Sequence, residues 1–546
     1  MWQRLRQQVI PGAAGGWRNR LALPGLLAAL AGLHLASLLR TPPPHVDEAW
    51  YAARAWALIH TGRAFGVLDQ GVLDRFPGYW TFFPWLGTWL QALAMRLLGP
   101  TLLAVRLVSL AFGLLLLGAV YVVGERLGGR RVGLVGVCLV AVSRAFLLSA
   151  HMARQDVMIA ALGFTAVALH LSDRARSLSL KSLLSGLAVG LAFEIHPNAA
   201  VYGPALLALH LVDEGRRFLR SSRFWGFAAG LLLGLAFYAG KHILPYPQSF
   251  VAMARLGFGP THTPPLLVPD PGLWLRALGN AAILLIWSGE LRAPLAAATV
   301  AALALRRSPA DRRLAALSAT LFVGFAALIR NSATYYVIAI APAAELAVAS
   351  LLDGLLRQRL PPGAEGKGEA QPAAHTRRLS ARLLLPRPGR TALGLLLALG
   401  CIVTVAPVPF SLAHMLDDPR PEFRLTLERI RQAVPSGSAV MGPQTYWFGL
   451  PEERYYSWEQ LVLYREHVAG SSLEDAFRAL GPQYLIIDRK MEEALVESQE
   501  GLSEYHRYFS LLRRDVEAFL ARRAVLVAAV ETQTFGRVRI YAIDWG

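Results

Sequence analysis

The sequence predicts an α-helical polytopic membrane protein, with about 11 spans and 13 possible, followed by a C-terminal α/β domain. Of the 546 residues, 54% are hydrophobic and only 17% are charged, which is more apolar surface than a soluble protein buries. Apolar runs long enough to cross a bilayer recur along the chain. From about Ser411 the charge rises, and short β-branched or aromatic runs alternate with helical patterns. The bilayer is therefore the expected solvent for the first three quarters of the chain.

The predicted spans begin with residues 21–39, which end without a small-x-small cleavage site and are expected to stay as an anchor. Residues 273–305 are interrupted at 288–292, so they give either one crossing after a surface helix or three crossings with their neighbours. The other predicted spans are residues 101–123, 132–149, 157–171, 182–193, 199–211, 224–240, 314–329, 335–352 and 391–410.

Arginine clusters on alternate loops predict the orientation, because cytoplasmic loops carry an excess of Lys and Arg. They place the N-terminus and the linker 355–390 in the cytoplasm of an inner-membrane protein, and the loop 40–100 and the C-terminal domain outside. The predicted domains are residues 1–410 and 411–546. The clusters are at residues 126–131, 174–181, 216–223 and 306–313.

The C-terminal region reads as strands alternating with helices, and the simplest interpretation is an extracytoplasmic α/β domain. The predicted strands are residues 439–442, 484–488, 524–530 and 538–544. The predicted helices are residues 422–433, 472–480 and 510–521.

Two function classes are disfavoured by composition. The net charge of +18 comes from short basic clusters between apolar runs, without a stripe or module that reads nucleic acid. The only cysteines, Cys138 and Cys401, both lie in apolar runs, so neither a disulfide framework nor thiol chemistry is expected.

Ionisable residues concentrate in two of the predicted outside loops. The first reads His-Val-Asp-Glu-Ala-Trp-Tyr from His45, and the second reads His-Met-Ala-Arg-Gln-Asp from His151 to Asp156. Two carboxylates at one surface suit a general base and a group that orients it or binds a metal. His45 and His151 allow a divalent metal, although no ligand spacing demands one. The alternative is that Asp47 and Asp156 only cap helix N-termini.

The chain resembles the superfamily of bacterial protein O-mannosyltransferases and aminoarabinose transferases, which are GT-C membrane glycosyltransferases. The resemblance lies in Asp-Glu-Ala-Trp-Tyr-Ala-Ala-Arg-Ala from Asp47 and in Pro-Trp-Leu-Gly-Thr-Trp-Leu-Gln-Ala-Leu from Pro84. It continues in Arg-Gln-Asp at Arg154 and in Tyr-Tyr-Val-Ile-Ala-Ile-Ala-Pro from Tyr335. These motifs follow the family's order from end to end of the chain.

The resemblance implies an inverting transfer of sugar from a polyprenyl-phosphate donor to a protein, lipid or glycan acceptor on the outer face. Asp47 would be the base, with Glu48 beside it, Asp156 the second acidic residue and Arg154 its neighbour. Cations should line the site of the leaving phosphate. The candidates that would bind it are Arg75, Arg154, Lys241, Arg255 and Arg330, with Tyr335 or Tyr336 as a hydroxyl donor. Lipid headgroup contact is the alternative role of these cations.

One motif departs from the pattern. Aminoarabinose-type members carry Lys-Pro-Pro-Leu where this chain has Phe-Phe-Pro-Trp-Leu from Phe82, so the sugar of those members is not implied. A transporter or lipid flippase is the competing function, and it predicts polar residues near the middle of several spans. A structural membrane protein would leave the acidic pair unexplained.

Overall fold

The computed structural model of the chain describes residues 13–72, 78–172, 179–257, 263–287, 300, 303–304, 308–329, 333–359, 420–468, 470–502, 507 and 509–546. The predicted span 391–410, most of the linker 355–390 and the predicted domain boundary at residue 411 lie outside these residues.

Helices dominate the chain up to residue 359. In chain order they are α1 Ala13–Ser37, α2 Val46–Thr61, α3 Trp85–Leu98, α4 Leu102–Gly128, α5 Arg130–Ala141, α6 Arg144–Ala150, α7 Asp156–Ser172, α8 Leu180–Ile195, α9 Tyr202–Glu214, α10 Ser222–Tyr238, α11 Pro247–Gly257, α12 Pro271–Trp287, α13 Pro309–Leu328 and α14 Ala341–Arg359. Short 3-10 helices at Tyr79–Phe82, Pro197–Val201 and Thr334–Ala339 join some of them.

Most predicted spans coincide with helices. By length and composition, two described helical segments qualify as membrane crossings, α4 and Ser222–Ile243. The pair α5–α6, bent by 66°, is either a third, broken span or a re-entrant loop. Leu21–Ser37 and Asp156–Ser172 are apolar but shorter. The helical membrane fold class is confirmed, whereas the count of 11 to 13 spans stays a prediction. The loop 40–100 contains two helices, α2 and α3, that its aromatic and charged composition concealed.

Close approach of α8 and α10 depends on glycine. A Cβ atom added to Gly186 would lie 1.9 Å from the Phe227 carbonyl oxygen, and one added to Gly230 would lie 2.0 Å from the Leu183 carbonyl oxygen. Any side chain at either position would therefore push the helices apart. Small residues four positions apart are how membrane helices pack backbone against backbone.

The C-terminal region forms a five-stranded mixed sheet in the order β2-β1-β3-β7-β6. The strands β1 and β2 run parallel, as do β1 and β3, whereas β7 is antiparallel to both β3 and β6. Its strands are β1 Ala439–Gly442, β2 Arg454–Ser457, β3 Tyr484–Ile487, β6 Ala524–Thr532 and β7 Gly536–Ile543, while β4 Leu495–Val496 and β5 Leu511–Leu512 pair separately. The helices of the region are α15 Arg420–Ala433, α16 Glu459–His467, α17 Leu473–Leu480, α18 Arg489–Glu493 and α19 Arg513–Arg523.

The sheet region docks directly on helix α2. The small side chains Ala49, Ala52 and Ala53 of α2 are fully buried in one core with Tyr446 and Trp447, which lie on the 3-10 helix Gln444–Gly449. Alanine lets the two elements approach closely, and the aromatic rings fill the space. The acidic motif at the start of α2 is thus held between the membrane helices and the C-terminal region.

Candidate active site

The two acidic motifs meet at one buried guanidinium. Arg154 forms ion pairs with Asp47 and, through Nε at 2.8 Å, with Asp156 Oδ2. The side chains of Arg154 and Asp156 are 4% and 3% exposed, whereas Asp47 is 32% exposed. The predicted convergence of Asp47, Arg154 and Asp156 is therefore present in the structure, and Asp47 is the carboxylate that solvent reaches.

Helix α2 is capped by His45 and not by Asp47. The His45 ring Nδ1 accepts a hydrogen bond from the Asp47 amide at 3.2 Å, and the His45 amide donates to Glu48 Oε2 at 2.8 Å. This reciprocal arrangement satisfies the first amides of the helix. The side chain of Asp47 is thus free of the capping role that its position suggested, and Asp156 is the first residue of α7 with its carboxylate bound to Arg154.

Glu48 is held on both oxygens in the interior. Arg106 donates from Nε to Oε1 and from Nη2 to Oε2, each at 2.8 Å, and the Ala153 amide donates to Oε1 at 2.8 Å. Arg106 also donates from Nη1 to the Leu38 carbonyl at 2.8 Å, and both side chains are fully buried. Sequence reasoning did not select Arg106. The feature that could have identified it is a single charged residue near the start of the predicted span 101–123. Glu48 and Arg106 join α1, α2, α4 and the second acidic loop.

Tyr335 and Tyr336 flank the same guanidinium. The Arg154 Cζ atom lies 3.8 Å from the centre of the Tyr335 ring and 5.7 Å from that of Tyr336. Ser149 fixes the segment by donating to the Tyr335 carbonyl at 2.8 Å. The tyrosine segment thus contacts the second acidic loop, and the cation–π contact adds to the ion pairs that orient Arg154.

Both ring nitrogens of His151 contact other parts of the fold. Its Nδ1 donates to the Thr41 carbonyl at 2.9 Å, and its Nε2 lies 3.0 Å from His34 Nδ1. Both ring nitrogens are thereby used in tying α1 to the second loop. Across the described part of the chain, no group of three or more His, Cys, Asp and Glu side chains is arranged to hold a metal ion.

The other predicted cations are only partly described. Lys241 places its Nζ 4.8 Å from the centre of the Trp85 ring, on the aromatic segment that replaces the lysine motif. Arg75 and Arg330, and the side chain of Arg255, lie outside the described residues. Their roles toward phosphate stay predictions.

A further buried carboxylate, Glu194, which sequence reasoning did not select, anchors that aromatic segment. Glu194 accepts hydrogen bonds from the amides of Trp85 at 2.8 Å and Leu86 at 2.9 Å. His242 Nε2 lies 2.9 Å from Glu194 Oε1, and its Nδ1 lies 2.5 Å from the Thr81 carbonyl. Glu194 and His242 therefore fix the start of α3 against α8.

The comparison with family models gives one match and the comparison with solved structures gives several. Residues 83–240 match the model of the dolichyl-phosphate-mannose-protein mannosyltransferase family. The crystal structure of ArnT from Cupriavidus metallidurans bound to undecaprenyl phosphate has a TM-score of 0.59 at 15% identity, with 97% of this chain and 98% of that chain covered. An oligosaccharyltransferase of Archaeoglobus fulgidus, tethered with an acceptor peptide, gives 0.51 at 12% identity over 96% and 74%. The comparison with curated proteins gave no match.

The chain has the fold of the GT-C class of membrane glycosyltransferases. The partial match to the mannosyltransferase family model and the shared fold confirm the resemblance that the motifs indicated.

Proposed function

We propose that the protein is an inverting glycosyltransferase that moves a sugar from a polyprenyl-phosphate donor to an acceptor outside the cytoplasmic membrane. The observation that carries the proposal is the difference in solvent access among the three carboxylates of the described acidic cluster. Glu48 and Asp156 are buried and bound to arginines, whereas Asp47 is 32% exposed beside them. A base must be both fixed and reachable by the acceptor.

The reaction needs one base and one stabilised leaving group. The acceptor hydroxyl oxygen attacks the anomeric carbon while the bond from that carbon to the phosphate oxygen breaks. The hydroxyl proton passes to the Asp47 carboxylate, and the bonding electrons leave with the polyprenyl phosphate. A hydroxyl is a poor nucleophile at neutral pH, so the carboxylate contributes most at this step.

Arg154 and Asp156 act as positioning residues in this proposal. A guanidinium that formed an ion pair with Asp47 alone would neutralise the carboxylate and make Asp47 a weaker base. Because Asp156 also binds Arg154, the positive charge is divided between two carboxylates, and Asp47 is oriented without being fully neutralised. The ring of Tyr335 below the guanidinium fixes that geometry.

The proposed membrane placement puts the acidic site outside and the N-terminus in the cytoplasm. Support comes from α4, which has Arg106 of the site near its start and Arg126 in its last turn. A helix of 27 residues is roughly 40 Å long, about a bilayer thickness. The acidic site and the basic loop therefore lie at opposite ends of one span, as the positive-inside rule expects.

The donor class is proposed from the fold and the family match. ArnT of Cupriavidus metallidurans, which shares the fold, was crystallised with undecaprenyl phosphate. The sugar and the acceptor stay open between protein, lipid and glycan. Arg75, Lys241, Arg255 and Arg330 remain proposed contacts of the donor phosphate, with Tyr335 or Tyr336 as a hydroxyl donor.

The test is whether the purified protein cleaves a lipid-linked sugar. The full chain in lipid nanodiscs is given undecaprenyl-phosphate sugars one at a time, together with envelope fractions as acceptors, and released undecaprenyl phosphate is measured. We expect release with at least one sugar, and only when an acceptor fraction is present. A transporter or flippase would instead carry intact donor across vesicles without breaking the bond, and that outcome would overturn the proposal.

A further inference from the structure

The segment between α9 and α10 presents basic and apolar side chains together at the surface. It forms the 3-10 helix Gly215–Arg220, in which Arg216, Arg217 and Arg220 are exposed. Leu219, which lies between two of these arginines, is 55% exposed. Exposed arginines beside an exposed aliphatic side chain are typical of a surface that meets the headgroup region of a bilayer.

The fold places this segment at the end of the helices that lies away from the acidic site. Helix α7 begins at Asp156 of the acidic site and has His170 in its last turn. Arg223, near the start of α10, donates from Nη2 to the His170 carbonyl. Since the 17 residues of α7 span roughly 25 Å, the basic segment is remote from the acidic cluster.

The carboxylates next to this segment are already bound to other partners. Asp213 pairs with Arg313 Nε at 2.5 Å and with Arg223 Nη1 at 3.6 Å. Glu214 lies 4.0 Å from the same Arg223 nitrogen. In the part of the chain that the structure describes, the three arginines of the 3-10 helix form no ion pair. Their charges are therefore available to an anion from outside the chain.

Helix α10 continues the exposed apolar surface from the basic segment. Ser222–Ile243 is long and apolar enough to cross a bilayer, yet only 22% of its apolar window is buried. Trp225 begins this surface, and its Nε1 donates to the Leu219 carbonyl at 2.9 Å. Tryptophan at the end of a lipid-facing helix marks the membrane interface. The large exposed side chains recur on one face of α10, and they are Trp225, Leu232, Leu233 and Phe237.

We propose that the 3-10 helix Gly215–Arg220 binds the headgroup phosphate of an anionic phospholipid whose acyl chains lie along the exposed face of α10. Guanidiniums bind phosphate oxygens well, and three of them without a described carboxylate partner favour a headgroup with net negative charge over a zwitterionic one. The inference goes beyond the proposed function, because this site lies at the other end of the helices. In the proposed orientation the lipid belongs to the cytoplasmic leaflet, where basic segments attract anionic lipids.

The experiment measures lipid binding to the full chain in a neutral detergent by native mass spectrometry. Phosphatidylglycerol and phosphatidylcholine with the same acyl chains are titrated separately. The wild type should bind phosphatidylglycerol more tightly. Replacing Arg216, Arg217 and Arg220 together with Gln should weaken phosphatidylglycerol binding by roughly 10-fold or more, because each basic residue near an anionic lipid contributes about a factor of five. Phosphatidylcholine binding should stay unchanged.

A matched control removes three positive charges elsewhere. Arg478, Arg514 and Arg522 of the C-terminal region are exposed and each pairs with a carboxylate, so their joint replacement with Gln should leave the lipid preference intact. Lysine at the three proposed positions keeps the charge and should bind within a few-fold of the wild type. Equal binding of the two lipids to the wild type would overturn the inference. So would an undiminished preference in the variant with three glutamines, or an equal loss of both lipids.

Discussion

Asp47 and Glu48 are neighbours in sequence with opposite surroundings. Glu48 accepts hydrogen bonds from Arg106, His45 and Ala153 in the interior. Asp47, one position earlier, faces partly into solvent with Arg154 beside it. On a helix, adjacent residues point about 100° apart, so one step along α2 separates a structural carboxylate from a reachable one.

Glu48→Gln should therefore act on stability more than on chemistry. The change leaves the fully buried Arg106 without its countercharge, which costs about 3–5 kcal/mol in comparable buried pairs. We expect a lower melting temperature in detergent and less folded protein. Replacing both residues, as Glu48→Gln with Arg106→Met, should cost less than Glu48→Gln alone. A Glu48→Gln protein that melts with the wild type would contradict this role.

At the residue scale, sequence motifs predicted which side chains meet at Arg154, because the motif order carried the resemblance. They could not predict Arg106. It is one charge in an otherwise apolar run. Only the fold brings it to Glu48 of α2, so no local pattern marks it.

At the scale of elements, α2 and the loop after it are clamped between the membrane helices and the C-terminal region. Gln460 of α16 donates from Nε2 to the Leu68 carbonyl at 3.2 Å. Asp69 is fully buried and pairs with Arg54 at 3.4 Å, and its Oδ1 has no hydrogen-bond partner among the described residues. Burial raises the pKa of Asp69 to about 6 and that of Glu459 to about 7.

This contact should weaken as the pH rises. Both carboxyls hold protons more tightly in the folded protein than in the unfolded chain, so their stabilising effect is complete below about pH 4 and is lost as pH rises through about 6 and 7. We expect the melting temperature to fall between pH 5 and pH 8, and the fall to be smaller in Glu459→Gln. Equal slopes in the wild type and Glu459→Gln would contradict the assignment.

Sequence periodicity predicted the elements unevenly. The strands at residues 439–442 and 484–487 were found almost to the residue, because β-branched and aromatic runs bounded by turns are distinctive. Strand β2, Arg454–Ser457, was missed because its charged and aromatic letters show no alternation. Helices α2 and α3 were taken as part of an outside loop because their aromatic and ionisable residues interrupt the apolar pattern of a span.

At the scale of the whole molecule, two groups of buried ion pairs lie at opposite ends of helix α7, which begins at Asp156 and has His170 in its last turn. The acidic site lies at one end, whereas Asp213 at the other end binds Arg313 Nε at 2.5 Å and His170 Nε2 at 3.2 Å. A transporter would require polar groups at mid-depth. The ion pairs of Asp156 and His170 lie at the two ends of α7 and not at its middle.

The central claim is that Asp47 takes the acceptor proton, and Asp47→Asn tests it most directly. Asparagine keeps the size and most hydrogen bonds but cannot accept the proton, so we expect normal folding with release of undecaprenyl phosphate slowed by roughly 10² to 10⁴-fold. The matched control is Asp270→Asn, because Asp270 is an exposed carboxylate just before α12 that pairs with Arg276 at 3.2 Å, and this variant should keep the wild-type rate. A folded Asp47→Asn protein that turns over donor as fast as the wild type would contradict the account.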